Sequence, residues 1–472
     1  MTSTDIIDKK VLDDVIWKAK CWAINHGLVR PVERKDNEPI PHQVTYIPFM
    51  LTPTPFPMNP FKRMKKVQLD FNFLMYNVSR DYDFLYEVLN SSLKYDEFTR
   101  NLVEISKMVR HKTIKDRGSL DIIRCDYMLD DRNGDQFKQV EINMISVGAG
   151  EMSTLLEPLH RYTLKLLGKH EEERVPENKC LDEIAIALVR AWEIYGQPRA
   201  AILLVAETSD RAVNAHQHIE FRIHEVNSRI SFIKGNLKDI GDRAILTDDQ
   251  ELEMDGYKIA VVYYRTGYRP DHYKTKKEWR GRSLAEHSCA IKCPSIGGHL
   301  AGTKSVQQAL SEPGITERYI EDPEAVNRIR ETFCKLYSLD IGSKGDQAVN
   351  LALENPDKFV LKPNRESGGN NIFGKDVARK LIEIKDLESR SKYILMEKIE
   401  PIKGKGYPIT HKEDVKWKEM TSEIGIYGTI VGDTEGIVHT REIGHLLRTK
   451  PHNATEASLS TGICVLDCPY LT

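Results

Sequence analysis

The stretch Phe359-Val-Leu-Lys362-Pro-Asn-Arg-Glu366-Ser-Gly368-Gly369-Asn370-Asn371-Ile-Phe373 constrains the fold more than any other part of the chain. Its short β-branched and aromatic run reads as a strand that delivers Lys362 to a sheet end and then turns into a loop of small residues. Gly368 and Gly369 lack the Cβ atoms that keep a backbone away from phosphate oxygens, so their N–H groups can cradle an anion. Glu366 offers hard oxygen ligands of the kind Mg²⁺ takes beside phosphates. Lysine, glycine loop and carboxylate together describe a nucleotide-triphosphate site. A hairpin turn with a solvated lysine is the plain alternative, and the loop alone divides the two about evenly. From Gly369 to Lys375 the spacing is that of a P-loop. Asp376, however, stands where the Ser/Thr magnesium ligand belongs, and an acid there repels phosphate.

A chain of 472 residues has room for roughly two or three domains with buried cores. The net charge of −2 gives no reason to expect nucleic acid or a membrane as partner. No apolar run approaches the ~20 residues of a transmembrane helix. The opening Met1-Thr-Ser-Thr-Asp-Ile lacks the basic and apolar regions of a signal peptide. The expectation is a cytoplasmic protein, or a secreted one if a signal peptide has been removed. The eight cysteines are scattered without a CxxC pair, which reads as buried thiols rather than zinc ligands or disulfides.

The pattern along the chain is mixed α/β. Residues 68–76 and 82–93 read as helices, and the proline-rich segment 46–60 as an extended connection. Residues 125–129 and 137–142 flank Asn133-Gly134, the strongest short hairpin signal. Counted outward from that turn, Arg124 and Asn143 fall opposite each other, and Glu141 shares a face with Asn143. A cation, a carboxylate and an amide therefore gather at one sheet end; a solvated rim is the plainer reading. Alternating strands (200–206, 258–265) and helices (182–195, 214–227) suggest a small doubly wound parallel sheet, with Arg265 and Tyr268 at a strand end where ligands bind. Lys304 opens a helix, 323–336 reads as another capped by Asp322, and 393–399 reads as a strand. The lysine- and glycine-rich 403–418 reads as a mobile loop. Strands 422–431 and 436–442 precede His445-Leu-Leu-Arg448-Thr-Lys450, where Arg448 and Lys450 share a face if that piece is extended. Gly148-Ala-Gly150 faintly mimics a dinucleotide fingerprint without its third glycine.

Taken together, Asp126-Tyr-Met, Gln139-Val-Glu141-Ile-Asn143, Leu300-Ala-Gly-Thr-Lys304, Val360-Leu-Lys362-Pro, Gly368-Gly-Asn-Asn371, Tyr393-Ile-Leu-Met-Glu-Lys-Ile-Glu400, Gly444-His-Leu-Leu-Arg448-Thr-Lys450 and Val465-Leu-Asp467 resemble eukaryotic glutathione synthetase, in family order from about residue 40 onward. The resemblance implies an ATP-grasp fold, ATP and Mg²⁺ as cofactors, a lid, a separate substrate domain and a homodimer. The implied division is 1–199 and 421–472 as core, 200–301 as substrate domain, 302–336 as core helices and 337–420 as lid. In that family ATP phosphorylates the carboxylate of γ-glutamylcysteine and the glycine amine attacks the acyl phosphate. Such chemistry needs neutralised phosphate charge and exclusion of water.

By position, the resemblance makes Glu141, Asn143 and Glu366 metal ligands. It assigns the nucleotide to Lys304, Lys362, Asn364, Arg365, Glu366, Ser367, Gly368, Gly369, Asn370, Asn371, Phe373, Met396, Glu397, Lys398, Ile399, Glu423, Lys450 and Glu456. It assigns peptide and acceptor to Arg124, Ile145, Ser146, Val147, Gly148, Asp210, Arg211, Ala212, His216, Arg265, Thr266, Gly267, Tyr268, Arg448, Leu459 and Ser460. Arg448, Lys362 and Lys450 are the expected catalytic cations.

Departures from the family pattern cluster at substrate positions. Gly148 replaces a serine, His216 a glutamine, Ala212 an asparagine and Thr266 an aspartate. Ser367 replaces the first loop glycine, and Phe373 a tyrosine. The C-terminal loop becomes Thr455-Glu-Ala-Ser-Leu-Ser-Thr-Gly462. Each lost buried hydrogen bond costs ~1–3 kcal/mol, so the expectation is a ligase with intact nucleotide machinery and weak or absent glutathione synthesis. In this it resembles the glutathione synthetase-like effectors secreted by plant-parasitic cyst nematodes. An ordinary glutathione synthetase and a non-catalytic binding protein are the alternatives.

Overall fold

The computed structural model describes residues 8–33, 39–111, 114–133, 136–208, 211–364, 370–411, 414–454 and 463–472. Eight strands position the candidate site: β1 (Ser119–Leu129), β2 (Phe137–Asn143), β3 (Ala201–Val205), β4 (Tyr257–Tyr264), β5 (Phe359–Pro363), β6 (Tyr393–Glu397), β7 (Lys418–Gly432) and β8 (Ile437–Pro451).

The largest sheet runs β2–β1–β7–β8 in antiparallel order and continues through Val465–Asp467, Phe49–Met50 and Pro408–Ile409. The helix Met58–Val78 packs on β7 and β8, and Cys180–Tyr195 packs on β1, β7 and β8. Period-two alternation sends Ile123, Cys125 and Tyr127 of β1 into one apolar core, with Phe71 and Leu74, and Leu120 and Ile122 into the other, with Ile184 and Leu188. Arg124 and Asp126 continue the second series, so two charged groups share a face at the end of an otherwise apolar strand.

A second sheet pairs Ser231–Gly235, β3, β4 and Ile291–Cys293 in parallel, with antiparallel strands added at its edge. The helix Val213–Val226 makes the crossover from β3. This is the doubly wound sheet expected from the alternation, and the chain leaves the end of β4 at Arg265. A third, antiparallel sheet has the order Leu336–Ser338, β6, β5, Ile372–Phe373 and is backed by Ser343–Glu354 and Lys375–Ile384 around Leu339, Val349, Leu361 and Leu395. The fold is the mixed α/β, ATP-grasp type expected.

Four expectations need correction. The helix capped by Asp322 stops at Thr332 instead of running to 336, because Leu336 pairs across from Met396 as a strand. The 403–418 stretch is not a free loop: Lys403–Gly406 pairs with β7 and Pro408–Ile409 with Phe49–Met50. The piece after 442 is no separate segment, since β8 runs unbroken to Pro451. Finally, the β1–β2 ends pair as Leu129 opposite Phe137, one register away from a two-residue Asn-Gly turn. A bulge between Asp126 and Tyr127 restores the count, so Arg124 does face Asn143.

Candidate active site

Asp126 is fully buried, and its carboxylate is the hub of a charged cluster. Arg124 approaches as a fork, Nε donating to Oδ1 at 2.6 Å and Nη2 to Oδ2 at 2.9 Å. Arg448 Nη2, from β8, donates to Oδ2 at 2.9 Å and also to Glu423 of β7. Asn143 Nδ2 donates to the same oxygen at 3.0 Å and to the Arg124 carbonyl at 3.4 Å. Strand register explains the convergence: Arg124 lies opposite Asn143, and Glu423 opposite Arg448. Across from Asp126 stands Gly425, where a Cβ would lie 2.5 Å from Oδ1 and 2.6 Å from Arg124 Cδ, so only a residue without a side chain fits beneath the pair.

A second cluster begins two residues along β2. Glu141 accepts from Lys304 Nζ at 2.7 Å, and Lys362 Nζ donates to the Val140 carbonyl at 2.7 Å. Burial alone would raise the Glu141 carboxyl, but the Lys304 and Lys362 ammoniums outweigh it and hold it well below the usual carboxylate range. Burial, with Lys304 close by, presses the Lys362 ammonium down. Burial also raises the Glu423 carboxyl, with Asp126 and Glu141 adding to the shift against the pull of Arg448.

The positioning of both lysines is built into the backbone. β2 is the edge strand of its sheet, and the Gln307 amide takes the place of a neighbouring strand. It accepts from Ile142 N at 3.0 Å, donates to Ile142 O at 3.0 Å and donates to Gly302 O at 2.8 Å. That fixes the peptide between Glu141 and Asn143 and anchors the helix Lys304–Ser311. At the same helix start, Ser305 N donates to Asn364 Oδ1 at 2.6 Å, tying it to the end of β5. Between β2 and the third sheet lies a small cavity lined by Val140, Lys304, Cys334, Leu336, Lys362 and Met396. Cys334, Met396 and Ile399 form an apolar cluster there, beside the two ammonium groups.

A third group surrounds Gly148, whose carbonyl accepts from Arg124 Nη1 at 3.2 Å and from Tyr427 OH at 2.6 Å. Arg265 is held by Glu151 and by Tyr263 OH, and its Nη2 lies 2.6 Å from where a Gly148 Cβ would be. Ser146, at φ +54°, donates to the Arg265 carbonyl at 2.8 Å, and Thr266 Oγ1 donates to Glu207 at 2.6 Å. Ile145 and Val147 are buried in the cores that flank this loop. Gly267 takes φ +89°, its carbonyl receives Tyr273 OH, and Tyr268 meets His272 edge to face. His216 is buried on the second turn from Ala212, where burial and the Arg265 cation push its imidazole down to about 2 and keep it neutral.

Three other expected site residues pair outside these clusters. Arg211 pairs with Glu33 at 2.5 Å, Glu397 with Arg132 at 3.1 Å and Lys398 with Glu400 at 3.3 Å. Phe373 pairs across from Val360 and Lys450 across from Thr421, while Asn370 and Asn371 follow the glycine loop towards Ile372–Phe373. Arg365, Glu366, Ser367, Gly368, Gly369, Asp210, Glu456, Leu459 and Ser460 lie outside the described residues. Sequence reasoning missed Asp126, Glu151 and Gln307 as site residues. For Asp126 the signal was present, since it is two residues from Arg124 on one strand face.

Among the described residues no three His, Cys, Asp or Glu side chains converge as a metal cluster. The donor set nevertheless suits Mg²⁺. Asn143 turns its NH₂ to two acceptors, Asp126 and the Arg124 carbonyl, which settles the amide orientation and leaves its oxygen directed away from them. Carboxylate and carboxamide oxygens are the hard ligands Mg²⁺ takes beside phosphates.

A mixed α/β fold with paired lysines beside an apolar cluster and hard oxygen donors fits the ATP-grasp class of ligase. The sequence matches the family description "Eukaryotic glutathione synthase, ATP binding domain" over residues 9–471. It is 40% identical over 469 residues to glutathione synthetase of Xenopus laevis and 39% identical to that of Homo sapiens, in each case covering 98% of both chains. With the chloroplastic glutathione synthetase of Solanum lycopersicum it shares 36% over 98% of this chain and 85% of that one. The glutathione synthetase-like effector of Globodera pallida in its apo form superposes with a TM-score of 0.78 over 99% of this chain and 98% of that chain, at 24% identity. The chain belongs to the eukaryotic glutathione synthetase family and is an ATP-dependent ligase.

Proposed function

We propose that this protein is a glutathione synthetase, joining γ-glutamylcysteine to glycine at the expense of ATP. The observation that carries the reading is the arrangement along β2. Glu141 and Asn143 stand two residues apart, ~7 Å by strand geometry, with the lysine cluster beside one and the arginine cluster beside the other. A nucleotide γ-phosphate at the first centre and a peptide carboxylate at the second would meet over one strand. The vertebrate relatives bear the same name at about 40% identity from end to end. That favours ordinary synthesis over the diverged pocket expected from the substitutions.

In this reading a carboxylate oxygen of the dipeptide attacks the γ-phosphorus and the bond to ADP breaks. The glycine amine then attacks the acyl carbon, phosphate departs and the amine proton is released. Lys304 and Lys362 hold the phosphates, and Arg124, Arg265 and Arg448 hold carboxylates. Glu141 and Asn143, with Glu366 from the glycine loop, would hold Mg²⁺, which neutralises phosphate charge when bound. Residues 200–301 carry the peptide, and the protein works as a homodimer in solution. Of the 337–420 lid, the part built on the third sheet closes, since Lys403–Gly406 and Pro408–Ile409 are tied into the largest sheet.

The test is phosphate release from ATP with γ-glutamylcysteine plus glycine, followed by a panel of other peptides and amines. Release with the first pair supports the proposal. A second reading, a changed peptide or acceptor, is favoured by one observation: the Arg265 guanidinium fills the space a side chain at position 148 would need. Release only with another peptide or amine would establish it.

A further inference from the structure

Asp126 touches three residues assigned to substrate or metal, yet it is too deeply buried to meet a substrate itself. Its two oxygens receive Arg124 twice, Arg448 once and Asn143 once, all between 2.6 and 3.0 Å. The side chain has no exposed surface. Arg124 is nearly as buried, whereas Arg448 and Asn143 are partly open. The carboxylate therefore lies beside Arg124 and behind two groups that reach the surface, Arg448 and Asn143.

We infer that Asp126 is a positioning residue for the ligase reaction: one buried carboxylate sets the two carboxylate-binding guanidiniums and the metal-facing amide in a single geometry. The inference rests on the proposed reaction. Both guanidiniums have several rotatable bonds and five donors each. Left to themselves they would spread and repel, since Arg124 and Arg448 share one oxygen's neighbourhood. A planar carboxylate that accepts Nε and Nη2 of Arg124 fixes that fork in its plane and leaves Nη1 for Gly148. The same carboxylate holds the Asn143 NH₂, so the amide oxygen cannot rotate away from the phosphate side. Glu423 cannot substitute, because its contact is with Arg448 alone among these groups. Gly425 is part of the same device, since any side chain there would strike Asp126 and Arg124.

The experiment compares wild type with Asp126→Asn and Asp126→Glu, measuring KM and kcat for γ-glutamylcysteine, thermal midpoint, and nucleotide Kd without divalent metal. The asparagine variant keeps the shape but loses the charge and one acceptor. Its KM for the dipeptide should rise on the order of 10–100-fold. The glutamate variant keeps the charge with the carboxylate displaced, and its KM should rise less. Metal-free nucleotide Kd should stay within about twofold for both, because Lys304 and Lys362 do not touch Asp126; a merely structural role would weaken nucleotide and dipeptide together. If Asp126→Asn does not fold, Asp126→Glu decides alone. Dipeptide KM within twofold of wild type in whichever variant folds, or nucleotide and dipeptide weakened alike, overturns the inference. A wild type inactive on γ-glutamylcysteine and glycine overturns the proposed reaction, and the inference falls with it.

Discussion

Lys304 holds Glu141: its ammonium nitrogen lies 2.7 Å from the carboxylate, with the lysine side chain 7% exposed and the glutamate 27%. A cation from the start of one helix thus sits beside the carboxylate that, in the proposed reaction, would share Mg²⁺ and phosphates with it. Removing the lysine takes away a phosphate contact and leaves a half-buried carboxylate facing the incoming charge.

Lys304→Met should therefore weaken ATP binding by ~10–100-fold, the ~1.5–3 kcal/mol of a hydrogen bond to a charged group. Isothermal calorimetry with ATP and Mg²⁺ reads it directly. An unchanged Kd would remove Lys304 from the nucleotide site.

Gln307 supplies the hydrogen bonds that an edge strand otherwise lacks. Gln307→Leu leaves the Ile142 N–H and carbonyl buried without these partners and should cost roughly 1–3 kcal/mol for each group not rescued by water. Urea unfolding should show the loss, and nucleotide affinity should fall with it because Glu141 and Asn143 flank that peptide.

Gly148 is closed against side chains by Arg265. Gly148→Ala puts a carbon 2.6 Å from a guanidinium that Glu151 and Tyr263 hold in place. Overpacking of this kind costs ~1–3 kcal/mol, and dipeptide KM should rise as Arg265 is displaced. A variant with wild-type stability and KM would show that the guanidinium is free to move.

Buried histidines set the acid limit. Burial pushes His160 down to about 4, His445 to about 3 and His216 to about 2, and it pushes His299 well below the usual imidazole range. Unfolding lets each bind a proton near pH 6.5, so below that pH the unfolded chain holds more protons and stability falls on acidification. Asp121 and Asp467 act in the opposite sense. Burial raises them to about 6 and about 7, so their stabilising protons are lost as pH rises through those values. The neutral histidines make stability fall as pH drops below about 6.5, and the raised carboxyls of Asp121, Asp467, Glu423 and Glu442 offset part of that fall. Unfolding free energies at several pH values check it, and His160→Gln should flatten the slope by about one proton.

Much of this site could be read from the sequence because it lies on strands. Period two put Glu141 beside Asn143 and Arg124 opposite them, and family blocks gave Lys304 and Lys362 their roles. Asp126 escaped notice because a buried acid next to an arginine in an apolar strand looks like a private ion pair. Its other partner, Arg448, is more than three hundred positions away in the chain and meets it only through β7, which pairs with both β1 and β8. Gln307 was invisible for a related reason, since an amide can imitate a strand only once the sheet edge is known. The 403–418 stretch misled because lysine and glycine suggest a solvated loop, whereas its backbone pairs with β7 and with Phe49–Met50 whatever its side chains prefer.

The most direct measurement is product formation by purified wild-type protein supplied with ATP, Mg²⁺, γ-glutamylcysteine and glycine, followed by mass spectrometry with a turnover rate. The account predicts glutathione at a catalytic rate, one ADP and one phosphate for each molecule made, and loss of product when Lys362 is replaced by methionine. ATP bound with normal affinity but no glutathione formed, with turnover appearing only on a different peptide or amine, would contradict it.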